Sequence, residues 1–226
     1  ASAGTTILDA ARDANIEIPN LCSNEELHPY GACRLCMVEI THKGRRRLVV
    51  SCIHEVAEGL DVKTSTERVL GVRRLVAHLL LSRNSTHPRL RELAASLDIQ
   101  KSMFPVDYKG CILCGQCVRV CREVVGVSAI GFKSRGDSRE VATPFDEAPE
   151  DCIACGSCHF VCPVGFIPME ERDGVRRIWK TDFPMAKCTV CGAYFAPVKQ
   201  LEHFRKIADL PEEFFDTCID CRSTKK

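Results

Sequence analysis

Apolar residues fall at Ile7, Leu8, Ala11 and Ala14, the spacing of one face of a helix, with Thr5 or Thr6 placed to cap it. The period then changes. Met37-Val38-Glu39-Ile40 and Leu48-Val49-Val50-Ser51-Cys52 read as two strands, joined through a basic hairpin tip at residues 43–47. From residue 64 to about 104 the pattern is helical again. Thr64 and Glu67 offer a capping box, and Val69, Leu70, Val72, Leu75, Val76, Leu79 and Leu80 form one broad apolar face. Residues 132–147 are polar and carry Gly and Pro, which predicts a hairpin or surface insertion. Residues 170–177 are densely charged and read as an exposed linker or docking segment, and Gln200 to Ile207 read as a last helix.

Sixteen cysteines change this picture. Eight repeat one spacing, Cys111-x2-Cys114-x2-Cys117-x3-Cys121 and Cys152-x2-Cys155-x2-Cys158-x3-Cys162-Pro163, which is the pattern of a bacterial ferredoxin with two [4Fe–4S] clusters. Three thiolates wrap a loop around three corners of a cubane, while the fourth has left on a short helix and ligates the other cluster. On this logic Cys111, Cys114, Cys117 and Cys162 hold one cubane, and Cys152, Cys155, Cys158 and Cys121 hold the second. Disulfides fit poorly, since cysteines in such triplets cannot all pair locally without strain, and zinc prefers two pairs of ligands. The one departure is Arg122 after Cys121, where the second run has Pro163.

Four more thiols, Cys22, Cys33, Cys36 and Cys52, are separated by 10, 2 and 15 residues. Plant-type [2Fe–2S] ferredoxins have a first gap of four. The longer gap, with Ile18-Pro19-Asn20-Leu21-Cys22 and Gly31-Ala32-Cys33-Arg34-Leu35-Cys36-Met37-Val38-Glu39, resembles the N-terminal part of the 75-kDa-type iron–sulfur subunit of complex I. It also resembles [FeFe] and NAD-linked, bifurcating hydrogenases and NAD-linked formate dehydrogenases. The resemblance implies one [2Fe–2S] cluster on these four cysteines, in a β-grasp domain; a four-cysteine zinc site is the plainer alternative. The β-grasp normally opens with a strand hairpin ahead of its helix, and this sequence shows none. Those families also bind a [4Fe–4S] cluster through a His-x3-Cys-x2-Cys-x5-Cys stretch. Here His87-Pro88 stands without the cysteines, so that cluster is expected to be missing, with His87 a surface or capping residue.

The last four cysteines form Cys188-x2-Cys191-Gly192 and Cys218-x2-Cys221, 26 residues apart. Two such knuckles suit zinc or a further Fe–S cluster, and spacing does not separate the metals. His203 is not needed as a ligand.

The expected fold is therefore α+β: a [2Fe–2S] β-grasp domain over residues 1–63, a helical segment over 64–104, and a double-[4Fe–4S] ferredoxin-like domain over 105–169. A linker over 170–186 and a small four-cysteine ribbon over 187–226 complete it. The formal charge is +1, from 31 basic and 30 acidic residues, which disfavours nucleic-acid binding. No apolar run approaches a bilayer span and no signal-peptide pattern opens the sequence, so a cytoplasmic protein is expected.

No Gly-rich nucleotide loop follows a strand, and no catalytic residue is identified. What remains is a wire. The expectation is a non-catalytic electron-transfer subunit, relaying single electrons between a flavin/NAD(P)-binding subunit with Fe–S clusters and a catalytic subunit of a soluble hetero-oligomeric oxidoreductase. Resemblance implies a bifurcating or NAD-linked hydrogenase or a formate dehydrogenase as host. The alternatives are a free ferredoxin-like carrier or, least supported, a zinc-ribbon regulatory or nucleic-acid-binding protein.

Overall fold

A computed structural model of the chain describes residues 2, 4–107 and 109–223. It divides into two compact units, Ala1–Gln116 and Cys117–Lys226. The division falls inside the first ferredoxin-type cysteine run, rather than near residue 104.

In the first unit, α1 (Ile7–Asp13) is capped by Thr6, whose hydroxyl accepts from the Asp9 amide at 3.1 Å. Its buried face, Ile7, Leu8 and Ala11, packs with Val38, Ile40 and Val50 into one apolar core that also takes in Cys36 and Cys52. Strand β1 (Met37–His42) is central in a three-stranded antiparallel sheet between β2 (Arg45–Val50) and β3 (Asp61–Lys63). The β1–β2 turn is only Lys43-Gly44, both at positive φ, as a two-residue hairpin requires. Arg45, Arg46 and Arg47 are thus strand residues rather than a loop tip. Among the described residues no hairpin precedes α1.

Helix α2 (Glu67–Arg83) starts one turn detail away from expectation, because Thr66, not Thr64, accepts from the Val69 amide. Its buried face differs too. Val69, Arg73, Ala77, Leu80 and Leu81 are buried, whereas Leu75 and Leu79 are 49% exposed. The i, i+4, i+8, i+11 stripe keeps Val69 and Leu80 of the expected face but includes an arginine, so hydrophobicity alone places only part of it. Pro88 opens α3 (Pro88–Ala95), with His87 at its N-cap position making no side-chain capping bond.

Helix α4 (Gln116–Arg119) begins at the unit boundary and runs into a π-helical turn at Val120–Val124. In the second unit, β4 (Gly131–Lys133) and β5 (Glu140–Ala142) form the expected hairpin within residues 132–147. After α5 (Ser157–Phe160) comes an antiparallel meander of β6 (Met169–Arg172), β7 (Val175–Ile178), β8 (Thr181–Lys187) and β9 (Tyr194–Pro197). Residues 170–186 are therefore sheet and not linker. Asp173-Gly174 turns β6 into β7 with both residues at positive φ, and a Cβ on Gly174 would collide with the Tyr194 ring. Helices α6 (Val198–Ile207), α7 (Glu213–Asp216) and α8 (Ile219–Ser223) follow and end the described residues.

Candidate metal centres

No disulfide joins any of the sixteen cysteines. In the first unit Cys22 and Cys33 come from the loops between α1 and β1, Cys36 immediately precedes β1, and Cys52 follows β2, all buried. The backbone points donors at sulfur: the Leu21 amide donates to Cys33 Sγ and the Cys33 amide to Cys22 Sγ, each at 3.4 Å. Hydrogen bonds from the Cys33 and then the Cys52 thiol hold Cys22 down to about 2, and Cys52 holds Cys36 down to about 6. Cys33 and Cys52 are pushed up by the same contacts. Four thiols that share charge so closely suit a group that takes thiolates.

Arg73 was invisible to sequence reading. Buried in α2, it donates through Nε to the Leu35 carbonyl at 3.0 Å and through Nη2 to the Met37 carbonyl at 2.8 Å, clasping the backbone on both sides of Cys36. Burial lowers its pKa and the Cys36 charge opposes that. Glu39, also buried, pairs with Arg46 at 3.1 Å and with Arg68.

The two ferredoxin-type loops share one backbone. Leu113 and Ala154 both lie at φ 55°, followed by Gly115 and Gly156 at positive φ. The Leu113 amide donates to Cys111 Sγ and the Ala154 amide to Cys152 Sγ, both at 3.4 Å. Within the first unit, Arg83 holds the Cys111 carbonyl at 2.8 Å, and Gln116 Nε2, buried, donates to the Leu21 carbonyl at 2.8 Å.

Within the second unit Cys121, Cys152, Cys155 and Cys158 line one small cavity of about 20 Å³, with Ile178 and Trp179 among its walls. Cys121 sits on the π-helical turn and accepts from the Ala129 amide at 3.3 Å. Arg122 keeps the N–H that Pro163 lacks, so the chain stays helical past Cys121, whereas α5 ends before Cys162. Burial pushes Cys158 up to about 12, and the nearby Trp179 N–H opposes this. Trp179 and Lys180 form the β7–β8 turn with both residues at positive φ, a strained conformation for such side chains. Arg176, expected to be exposed, is buried and donates to the Ala154 carbonyl at 2.7 Å and to Glu171 at 2.8 Å. Cys117 and Cys162 are also in this unit; Cys162 Sγ accepts from the Phe166 amide at 3.2 Å.

Near the C-terminal end, the sulfurs of Cys188, Cys191, Cys218 and Cys221 lie within 4.8 Å of one another. His203 is not in the group.

Comparison with known families fits these positions. Residues 1–67 match a 2Fe-2S iron–sulfur cluster binding domain, and residues 105–169 match a 4Fe-4S dicluster domain. The chain carries iron–sulfur ferredoxin domains. A second 4Fe-4S dicluster model matches residues 151–193.

The chain is homologous to subunits of NAD(P)-linked oxidoreductases. It is 30% identical over 212 residues to the alpha subunit of the NADPH-Fe(3+) oxidoreductase of Geobacter sulfurreducens, covering 83% of this chain and 25% of the relative. An NADH-quinone oxidoreductase subunit of Rhizobium meliloti is 31% identical, over 84% of this chain and 25% of the relative. The HndD subunit of the NADP-reducing hydrogenase of Solidesulfovibrio fructosivorans is 34% identical, over 74% and 34%. The iron–sulfur chain thus spans a quarter to a third of the length of these curated relatives. A chain in the crystal structure of an NAD+-reducing [NiFe]-hydrogenase in the H2-reduced state matches with a TM-score of 0.54 and 28% identity, over 63% of this chain and 69% of that one. No helix among the described residues is long and apolar enough to cross a membrane.

Proposed function

We propose that this chain is the electron-relay arm of a cytoplasmic, hetero-oligomeric NAD(P)-linked oxidoreductase, placed between a flavin/NAD(P)-binding subunit and a catalytic subunit. In this reading Cys22, Cys33, Cys36 and Cys52 hold one [2Fe–2S] cluster, and Cys121, Cys152, Cys155 and Cys158 hold one [4Fe–4S] cluster. For the other cubane, ligation by Cys111, Cys114, Cys117 and Cys162 rests on the repeated spacing. The activities named for the relatives favour an NAD(P)-linked reductase or hydrogenase as host.

The observation that carries the reading is the hydrogen bond from Gln116, one residue before Cys117, to the carbonyl one residue before Cys22. It ties the loop of one centre to the loop of another and supports an order in which the [2Fe–2S] centre neighbours the Cys111 cubane. Clusters bound by four cysteines supply one-electron exchange. The chain's own residues do the rest: Leu21 and Cys33 amides donate to thiolate sulfur, Arg73 sets a buried positive charge beside Cys36, and the apolar core of α1 and β1 excludes water.

Isolation of the native complex under anaerobic conditions tests this. A stoichiometric flavoprotein partner, with NAD(P)H reducing the chain's EPR signals only in its presence, is the expected result. A chain that purifies alone and is reduced without any flavoprotein would refute it.

A further inference from the structure

The C-terminal cysteines differ in geometry from the other twelve. Among the described residues they are the one group of three or more Cys, His, Asp or Glu side chains whose ligand atoms all fall within 4.8 Å. Cys191 Sγ and Cys218 Sγ are 3.8 Å apart. A tetrahedral zinc with Zn–S bonds of about 2.3 Å sets its sulfurs about 3.8 Å apart, the edge of that tetrahedron. In a cubane each thiolate binds a different iron, so the thiolates stand apart across the cage and do not share one metal's coordination sphere.

The local fold agrees. The first pair forms a tight knuckle: the Gly192 amide donates to the Cys188 carbonyl at 2.9 Å, and the Cys188 amide to the Ala193 carbonyl at 2.8 Å. The second pair is not a repeat of it. Cys218 precedes α8 and Cys221 lies on that helix, while the Cys218 amide donates to Cys188 Sγ at 3.3 Å. Cys191 is exposed and Cys221 half-buried, so the site opens to water instead of sitting under an apolar cover.

The segment also lacks another source of stability. Helices α6 and α8 bury no residue, and α7 buries only Phe215. The apolar side chains buried after residue 187 are few, and Cys188 and Cys218 are two of them. A segment with so thin a core needs a staple, and a closed four-thiolate metal site is one.

We infer that Cys188, Cys191, Cys218 and Cys221 bind a single tetrahedral zinc ion that clamps residues 187–223, and that this site carries no electrons. The inference stands apart from the relay proposed above, since a zinc clamp is compatible with any role for the remaining twelve cysteines.

The test is zinc K-edge X-ray absorption together with metal analysis of the full chain, purified anaerobically, beside the variant Cys191→Ser. That cysteine is exposed, so its replacement leaves the packing intact. The wild type should hold one zinc with four sulfur neighbours, beside about ten irons for one [2Fe–2S] and two [4Fe–4S] clusters. In Cys191→Ser the zinc shell should fall to three sulfurs, or the zinc be lost, with the iron count unchanged. Hydrogen exchange of the variant should rise within residues 187–223. Iron in place of zinc at this site, as a mononuclear centre or a further cluster, would overturn the inference. So would a zinc shell that keeps four sulfurs in the variant.

Discussion

Gln116 Nε2 lies 2.8 Å from the Leu21 carbonyl, a contact between residues 95 apart in sequence and buried from water. Each partner precedes a cysteine, so the bond fixes the Cys22 loop against the start of α4. Gln116→Leu would leave the buried carbonyl without its donor, which costs about 1–3 kcal/mol. The expected outcome is earlier bleaching of the [2Fe–2S] absorption in a urea titration. Unchanged bleaching would show that the bond is dispensable.

Arg73 bears on the same centre through charge. Replacing it by Leu removes a buried cation beside Cys36 and strands the carbonyls of Leu35 and Met37. Reduction adds negative charge, so losing the cation should make the [2Fe–2S] potential more negative, by tens of millivolts, given about 59 mV per factor of ten for one electron. EPR-monitored redox titration of Arg73→Leu and Arg73→Lys reads this directly, and Lys should recover part of the shift. A potential that does not move in either variant would remove Arg73 from the electrostatics of the site.

Trp179 gives the second unit a comparable handle. Trp179→Phe keeps the ring but deletes the N–H that opposes the upward push of burial on Cys158. Reduction adds negative charge that this N–H would favour, so the cubane potential should shift negative in the variant. Redox titration of the [4Fe–4S] signals checks it, with the [2Fe–2S] signal as internal control.

Glu39 predicts a pH dependence. A hydrogen bond from Thr66, and then those from Arg46 and Arg68, hold its carboxyl below the ordinary 4.5. A depressed carboxylate pKa stabilises the fold above the unfolded value and loses that contribution as pH falls through the folded value. The difference in urea midpoint between wild type and Glu39→Gln should therefore be flat at neutral pH and shrink on acidification below 4.5. A difference that grows on acidification would reverse the assignment.

Much of this protein was written in local pattern. The ferredoxin-type spacings, the α1 periodicity, and the β1 and β2 runs depend on residues near in sequence, where loop geometry and side-chain period leave few choices. The Asp173-Gly174 turn was equally legible and was masked by the charges around it. Tertiary structure alone decided which polar residues go inside. Arg176 read as exposed and Arg73 and Gln116 drew no reading, because burial of a polar group depends on partners that satisfy it, and those partners are carbonyls 22 to 95 positions away. The last four cysteines follow the same division: their spacing marked them as candidate ligands, while the gathering of all four sulfurs within 4.8 Å of one another, set by how β8, β9 and α8 fold together, is what favours one ion over a cluster whose thiolates are shared between irons.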